Sequence, residues 1–357
     1  MRQETLAGLA EEYLRYTGRK VLVIGLLLLA TLVLAVLAMN AGSAGLRPYE
    51  VWLTLIGKAE ASSKVIIWQI RMPRVLAAIV AGAGLSVAGC VMQNILRNPL
   101  ASPFTLGISH GAAFGAALAI IAFGAGSTQS TTADAVIINN PYLVTLSAFF
   151  WAMVTTMMVL LLAKYRGVSP EAMVLAGVAL GSLFSAATII LQYFSSDVKV
   201  AAVVFWTFGD IGRASWRELE IMALVVLAAG LYFIHQRWNY NALEAGEETA
   251  RGLGVEVEKT RMWGMLLSSL ITAVVVSFLG IIGFIGLVGP HLMRRLIGSD
   301  HRFLIPGSLV MGSLLLLASD TVGRTIIAPA VLPVGAVTSF LGAPLFLYLL
   351  SRGYSRR

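Results

Sequence analysis

Apolar stretches of about 20 residues alternate with short polar segments along nearly the whole chain. A bilayer core of about 30 Å requires roughly 20 apolar residues in a helix, so this pattern predicts membrane-spanning helices. The ten candidate spans are residues 20–40, 74–95, 105–124, 141–163, 172–193, 218–235, 262–282, 284–297, 304–323 and 332–351. Nine are long enough to cross alone, whereas 284–297 is short and bounded by glycines. We therefore predict an all-α, polytopic membrane protein with about ten transmembrane helices.

The distribution of charge predicts the orientation of these spans. If residue 1 is cytoplasmic, most of the 26 lysines and arginines fall in cytoplasmic segments, as the positive-inside rule requires. We expect both termini in the cytoplasm, with a cytoplasmic interfacial segment at 1–19, a transmembrane domain at 20–353 and a cytoplasmic tail at 354–357. Apolar residues at helical spacing in 1–19 favour a short helix lying on the inner interface. A frayed tail is the alternative.

Composition excludes several classes of protein. Of the 357 residues, 58% are hydrophobic and only 12% are charged, and the mean hydropathy is +0.83. An ordinary soluble enzyme, a disordered protein and a disulfide scaffold are all excluded on these grounds. No metal-ligand spacing such as HExxH or CxxC is present, and the single cysteine, Cys90, cannot form an intrachain bridge.

One short motif suggests a hydrolase. Residues 107–111 match GxSxG, with Ser109 at the nucleophile position. That motif functions on a strand–turn–helix elbow with a base nearby, whereas Ser109 lies near the start of an apolar helix. We keep an intramembrane hydrolase as an alternative that would require loss of activity in Ser109→Ala.

Glycines recur at two spacings. Gly107, Gly111 and Gly115 are four residues apart, as are Gly177 and Gly181, and small residues at this spacing let transmembrane helices approach closely.

The second glycine series predicts a break. It consists of Gly280, Gly283, Gly286 and Gly289, followed by Pro290 and His291. Such density disfavours a continuous helix, and broken backbone is tolerated at membrane depth only beside protein or a water-filled cavity. We place 280–290 beside a pathway, with Gly283, Gly286, Gly289, Pro290 and His291 as candidates; close packing alone is the alternative.

Charge within the spans is scarce. Asp320 is the one carboxylate deep within a predicted span, and Arg324 follows it by four residues, a spacing that favours an ion pair. Ion-coupled carriers usually place carboxylates or broken helices around a midplane site, so a secondary transporter is the weaker alternative.

Two polar regions suggest protein partners. The inner loop 236–261 is rich in glutamate, and its pattern predicts two short helices joined around Gly246 and closed by Gly252 and Gly254. An acidic helical loop on a basic face favours docking of a soluble partner, and a merely solvated loop is the alternative. On the outer side, basic residues in 41–74 and 195–217 suggest an acidic partner. They are Arg47, Lys58, Lys64, Arg71, Arg74, Arg213 and Arg217.

Six stretches resemble the permease subunits of type II ATP-binding-cassette importers for iron–siderophore, haem and cobalamin, the FecCD-type family. The stretches are Arg71-Met-Pro-Arg74, Gln93-Asn-Ile-Leu-Arg-Asn-Pro-Leu-Ala-Ser-Pro103 leading into Leu106-Gly-Ile-Ser109, Gly283-Phe-Ile-Gly-Leu-Val-Gly-Pro-His291, Asp300-His-Arg302, Leu332-Pro-Val-Gly335 and Leu341-Gly-Ala-Pro344. They occur in the family's order, and the resemblance extends over residues 20–353.

The resemblance implies a non-catalytic permease in a bacterial or archaeal cytoplasmic membrane. Its partners would be a second permease subunit, identical or not, two ATP-binding subunits, and a periplasmic or lipoprotein substrate-binding protein. No cofactor would bind this chain, since ATP and Mg²⁺ belong to the partner subunit and the chain has no GxxxxGK[ST] phosphate loop. Nucleic acid is not an expected partner.

The resemblance also assigns residues and cargo. The resemblance implies that loop 236–261 is an ATPase-coupling loop. The residues that match the family there are Gly246, Glu247, Ala250, Leu253 and Gly254. The arginines that would receive carboxylates of the binding protein are Arg71, Arg74 and Arg324. Iron–siderophore is the first expected substrate, and haem, cobalamin and molybdate-type oxyanions stay open.

Overall fold

The computed structural model describes residues 2–42, 48–56, 58, 61–127, 137–138, 140–165 and 168–353. The predicted tail 354–357 lies outside them. The helices are α1 (Arg2–Asn40), α2 (Pro48–Leu55), α3 (Ala61–Val65), α4 (Met72–Ile95), α5 (Ile108–Ile121), α6 (Pro141–Tyr165), α7 (Pro170–Tyr193), α8 (Asp197–Thr207), α9 (Trp216–His235), α10 (Arg237–Glu244), α11 (Glu247–Gly252), α12 (Val257–Leu279), α13 (Ile285–Ile297), α14 (His301–Thr325) and α15 (Val334–Gly353). A π-helical turn, Ile66–Arg71, joins α3 to α4, and a short 3₁₀ turn spans Ile211–Arg213. Two antiparallel two-residue strands, β1 (Gly126–Ser127) and β2 (Ile137–Ile138), are the only strands among the described residues.

The helical elements match a polytopic membrane protein. Seven helices of the described chain are long and apolar enough to span a bilayer, and α5 and Val334–Pro344 are shorter apolar helices.

The predicted span 105–124 was too long, because α5 has only 14 residues and therefore rises about 21 Å. It cannot cross alone, as the chain before it is held in turns that end at left-handed Gly107. The count of ten spans and the side of each terminus stay predictions.

The N-terminal segment does not form a separate helix. The structure continues α1 without interruption from Arg2 to Asn40, so the short independent helix predicted within 1–19 is absent. Near its start, the Tyr13 hydroxyl accepts a hydrogen bond of 2.9 Å from Arg302 at the beginning of α14. The first half of α1 is thereby fixed to the same end of the bundle as loop 236–261.

Helix starts follow ordinary capping chemistry. The Ser169 hydroxyl accepts from the Ala172 amide at the start of α7, and Ser215 and Glu218 form a capping box on α9. The Asp300 carboxylate accepts from the Arg302 amide at 3.0 Å and begins α14. Each side chain satisfies an amide that has no partner within its helix.

Helix α4 lies at the centre of the bundle, packed against α9, α12, α13 and α14. Its glycines allow backbones to meet. A Cβ atom at Gly82 would overlap the Gly312 carbonyl of α14, and one at Gly89 would overlap the Gly286 carbonyl of α13. The helices therefore approach along stripes of glycine, as small residues permit in membranes.

The predicted glycine face of α5 is confirmed. A Cβ at Gly107 would lie 2.6 Å from the Gly177 carbonyl of α7, and one at Gly111 would lie 2.8 Å from the Trp151 carbonyl of α6. Ser147 donates to the Gly115 carbonyl at 2.6 Å. The four-residue spacing thus marks the face by which α5 packs between α6 and α7.

Candidate functional site

Three arginines gather at the end of the bundle where α1 terminates. Arg74 donates to both carboxylate oxygens of Asp320, with its Nη2–Oδ1 distance at 2.8 Å, and Arg324 donates to the same carboxylate at 2.9 Å. Only 1% of the Asp320 side chain is exposed. The predicted pair of Asp320 with Arg324 is confirmed. Asp320 also accepts hydrogen bonds from Arg74, which lies 246 residues away in sequence. We call Arg71, Arg74, Arg324 and Asp320 the arginine cluster.

The cluster also holds the last turn of α1. Arg71 donates to the carbonyls of Met39 and Asn40, at 2.7 and 3.3 Å. Arg324 donates to the carbonyls of Ala38 and Ala41, at 3.3 and 3.1 Å. These carbonyls lie at the helix C-terminus, where unpaired acceptors and the helix dipole both favour cations. The arginines assigned to docking by resemblance are thus engaged within the chain and largely buried, with 14% of the Arg74 side chain exposed.

Loop 236–261 has the two short helices that its sequence predicts. α10 and α11 meet at Gly246, whose φ of 126° belongs to the region open to glycine, and Gly254 follows α11 with φ 83°. Ala250 is fully buried, whereas 70% of Leu253 is exposed. The loop therefore has a buried base and a projecting apolar tip.

Side chains fasten α10 to two of the long helices. The Asn94 amide of α4 donates to the Tyr240 carbonyl at 3.1 Å and to the Glu244 carboxylate at 3.0 Å. Asn241 donates to Asp300 at 3.0 Å and accepts from the His301 amide at 2.7 Å. Loop 236–261 is therefore attached to the bundle through α10 and is not merely a solvated loop.

Electrostatics support the same attachment. Partial burial alone would raise the pKa of Asp300, but hydrogen bonds from Arg302 and Asn241 outweigh it and lower the pKa to about 2. The Glu247 pKa is lowered chiefly by a hydrogen bond from Arg261. Both carboxylates are therefore charged at neutral pH and available to hold their cationic partners.

The break predicted in the second glycine series is present. Helix α12 ends at Leu279, residues 280–284 are not helical, and α13 begins at Ile285. Gly280 has φ 80°, and Phe284 has φ 65°, which is unusual for a bulky side chain. The Asp210 amide donates to the Leu279 carbonyl at 2.7 Å, so the break is held by the turn after α8.

A cavity of about 640 Å³ lies against this break. Its walls are apolar with a few hydroxyl groups, and no ionisable side chain lines it. The lining residues are Leu100, Ser102, Phe104, Thr105, Thr207, Phe208, Ile281, Gly283, Phe284, Leu287, Pro333, Gly335, Ala336 and Ser339.

Only one of the five pathway candidates lines this cavity. Gly283 lines the cavity. Gly286 and Gly289 instead face α4, where added Cβ atoms would meet the Leu85 carbonyl and Ser86, and Pro290 is buried beside them. His291 is half-buried in the middle of α13. Phe284, which lines the cavity, was absent from the predicted set although it lies within the glycine series.

The other motif chemistry finds no support in the described part of the chain. Ser109 is buried in the first turn of α5, which follows turns rather than a strand, so a nucleophile elbow is absent. No group of three or more potential metal ligands occurs among the described residues.

Comparison with known proteins identifies the class. The sequence profile of the FecCD transport family matches residues 28–352. A protein of Methanocaldococcus jannaschii named as an ABC transporter permease is 56% identical over 97% of this chain and 99% of its own length. The hemin transport system permease of Yersinia pestis is 36% identical over 94% of this chain and 97% of its own length. Further relatives are named for ferric citrate, iron-hydroxamate and vitamin B12 import.

A solved structure agrees. A metal-chelate type ABC transporter in an inward-facing conformation matches with a TM-score of 0.79 and 30% identity, over 92% of this chain and 99% of that one. The fold is that of a multi-pass permease of ATP-binding-cassette importers. The chain belongs to the FecCD transport family. Its relatives are named as permease subunits of transporters, which points to a role in transport.

Proposed function

We propose that this chain is the permease subunit of an importer that moves an iron–siderophore-type chelate from an external binding protein to the cytoplasm. The observation that carries the proposal is the cavity at the broken segment 280–284. Its volume of about 640 Å³ and its uncharged walls suit a bulky ligand that must enter and leave without being held tightly. Haem and cobalamin are the alternative candidates, because a hemin permease and a vitamin B12 permease are each 36% identical along nearly the whole chain.

ATP would be hydrolysed on a separate subunit that binds loop 236–261. The buried base of the loop and the exposed Leu253 tip support a docking role, with Gly246, Glu247, Ala250 and Gly254 shaping the loop. Closure of two ATPase subunits would move the loop as a rigid body and reorient two permease subunits. The chain would lie in a bacterial or archaeal cytoplasmic membrane, with a second permease beside it.

Reconstitution tests the transported ligand. The permease would be placed in proteoliposomes with the ATPase and binding protein that co-purify with it. Uptake of a ferric hydroxamate, haemin and cobalamin would be measured with ATP and with a non-hydrolysable analogue. We expect ATP-dependent uptake of the ferric hydroxamate. Uptake of haemin alone or of cobalamin alone would select that ligand instead, and uptake of none of the three would refute the chelate proposal.

The arginine cluster would receive the binding protein. Arg71→Glu replaces a cation that faces the end of α1 with an anion, so we expect affinity for an acidic binding protein to fall about tenfold or more. Affinity would be measured by biolayer interferometry on permease in nanodiscs.

Controls are needed because Arg71 also holds the Met39 carbonyl. Arg71→Gln keeps a donor there, and Lys164→Glu makes the same charge change at an exposed site far along α6. Affinity should fall with Arg71→Gln and stay unchanged with Lys164→Glu. Wild-type affinity in both Arg71 variants, with normal melting temperatures, would refute the docking assignment.

A further inference from the structure

Arg261 is a buried cation at the point where the inner loop meets the bundle. It lies in the second turn of α12, and only 2% of it is exposed. Its guanidinium reaches three separate parts of the chain. Nε donates to the Ile95 carbonyl at the end of α4 at 3.1 Å, Nη1 to the Val168 carbonyl between α6 and α7 at 3.5 Å, and Nη2 to Glu247 of α11 at 2.7 Å.

These contacts suit arginine and no other side chain. A buried cation is costly unless its donors are satisfied, and the planar guanidinium presents several donors in fixed directions. A lysine ammonium is a single point charge on a flexible stem and cannot hold three diverging acceptors in this geometry.

The surrounding backbone is arranged around the same group. Val168 has φ 55°, a conformation that β-branched residues rarely adopt. Strained backbone of this kind persists where neighbouring contacts determine it, and the Val168 carbonyl is one acceptor of Arg261. The site is therefore specified by several elements at once.

Glu247 has a second arginine partner, Arg251, which is exposed and lies in the same helix. Arg251 pairs with Glu247 at 2.9 Å within α11, and 58% of its side chain is exposed. The contact between Arg251 and Glu247 therefore joins no other helix to α11. Among the described residues, the Arg261 contact is the salt bridge that joins α11 to the long helices.

We propose that Arg261 is the positioning residue that fixes α11 to α4, α12 and the α6–α7 connection, so that a displacement of the loop moves these helices together. The inference rests on the proposed function, since it supplies the joint through which ATPase movement would reach the bundle. It adds a residue outside the predicted set of Gly246, Glu247, Ala250, Leu253 and Gly254.

The first experiment uses the permease alone in nanodiscs. Hydrogen exchange of residues 247–252 would be measured by mass spectrometry in wild type, Arg261→Lys, Glu247→Gln and Arg251→Lys. We expect hydrogen exchange to rise about tenfold in Arg261→Lys and Glu247→Gln, which is the scale of a typical coupling between sites. In Arg251→Lys, exchange should rise little. In Glu247→Gln, Arg261 keeps its hydrogen bonds to the Ile95 and Val168 carbonyls. This variant therefore still tests the contact with α11 if Arg261→Lys folds poorly.

The second experiment measures coupling in the reconstituted importer. Uptake per ATP hydrolysed would be compared for wild type, Arg261→Lys and Glu247→Gln, with the ferric hydroxamate, haemin and cobalamin as probes. We expect this ratio to fall about tenfold while the ATPase stays bound. The matched controls are Arg15→Lys and Glu11→Gln, because that pair makes the same contact at 2.7 Å on the exposed surface of α1.

The outcomes separate the two levels of the proposal. A merely structural role would lower folded protein, uptake and ATP hydrolysis together and leave their ratio unchanged. Wild-type exchange and a wild-type ratio in both Arg261→Lys and Glu247→Gln would overturn the inference and leave the importer intact. If the wild-type complex takes up none of the probes with ATP, the proposed function fails, and the exchange result alone decides whether Arg261 fixes α11.

Discussion

At the scale of single residues, the arginine cluster shows how one carboxylate stabilises several cations. Asp320 accepts hydrogen bonds from Arg74 and Arg324, and Arg71 lies beside them on the α1 carbonyls. The i,i+4 spacing predicted the Arg324 contact because both residues share one helix face. No local pattern could predict the Arg74 contact, since it depends on how α4 packs against α14.

Removing this carboxylate should be costly. Asp320→Asn removes the carboxylate partner of the buried Arg324 and leaves Arg74 with the half-exposed Asp210 at 3.5 Å. Breaking a buried pair costs about 3–5 kcal/mol. We expect a large fall in the melting temperature of the detergent-solubilised permease, measured by the fluorescence of its tryptophans.

A matched change tests the cause. Asp197→Asn removes an exposed carboxylate at the start of α8 and should shift the melting temperature little. If both variants melt alike, the buried pairing of Asp320 contributes no net stability.

At the scale of elements, glycine spacing was the most informative feature of the sequence. The four-residue series correctly predicted the packing face of α5, and the three-residue series predicted the break before α13. The sequence was less informative about length. Residues 105–107 are apolar or small enough to read as part of a span, but they form turns at left-handed Gly107. Hydropathy registers apolar character and not the backbone conformation that ends a helix.

The α4–α13 contact gives a direct test of glycine packing. Gly89→Ala places a Cβ against the Gly286 backbone, where neither helix can yield by moving a flexible side chain. Overpacking costs about 1–3 kcal/mol, so we expect a lower melting temperature and less correctly folded protein in detergent.

Gly230→Ala is the control for helix propensity. A Cβ at Gly230 in α9 meets nothing within 4 Å, and alanine favours a helix over glycine by about 1 kcal/mol. This variant should be as stable as wild type or more so. Equal stability of Gly89→Ala and Gly230→Ala would contradict the packing argument.

At the scale of the whole molecule, the sequence predicted the class of the protein, and the division of labour between its two ends stays a prediction. Loop 236–261 and the arginines Arg71 and Arg74 were both found from charge that departed from its surroundings. Arg261 and Asn241 were missed, because each looks unremarkable among neighbours of its own helix, and Asn94 was identified only as part of a family motif, without a role. Their importance comes from contacts with residues 14 to 166 positions away, which only the folded chain brings within reach.

Helix α1 has a mechanical consequence for the molecule. Its 39 residues extend about 58 Å at 1.5 Å per residue, roughly twice the hydrocarbon thickness. Its C-terminal end is held by Arg71 and Arg324, and about 40 Å earlier along the helix it is held through Tyr13 by Arg302, beside the anchor of α10. One continuous helix therefore connects the arginine cluster to the end of the bundle that carries α10. A shift of the arginine cluster along α1 must either carry Arg302 with it through Tyr13 or break the Tyr13–Arg302 hydrogen bond.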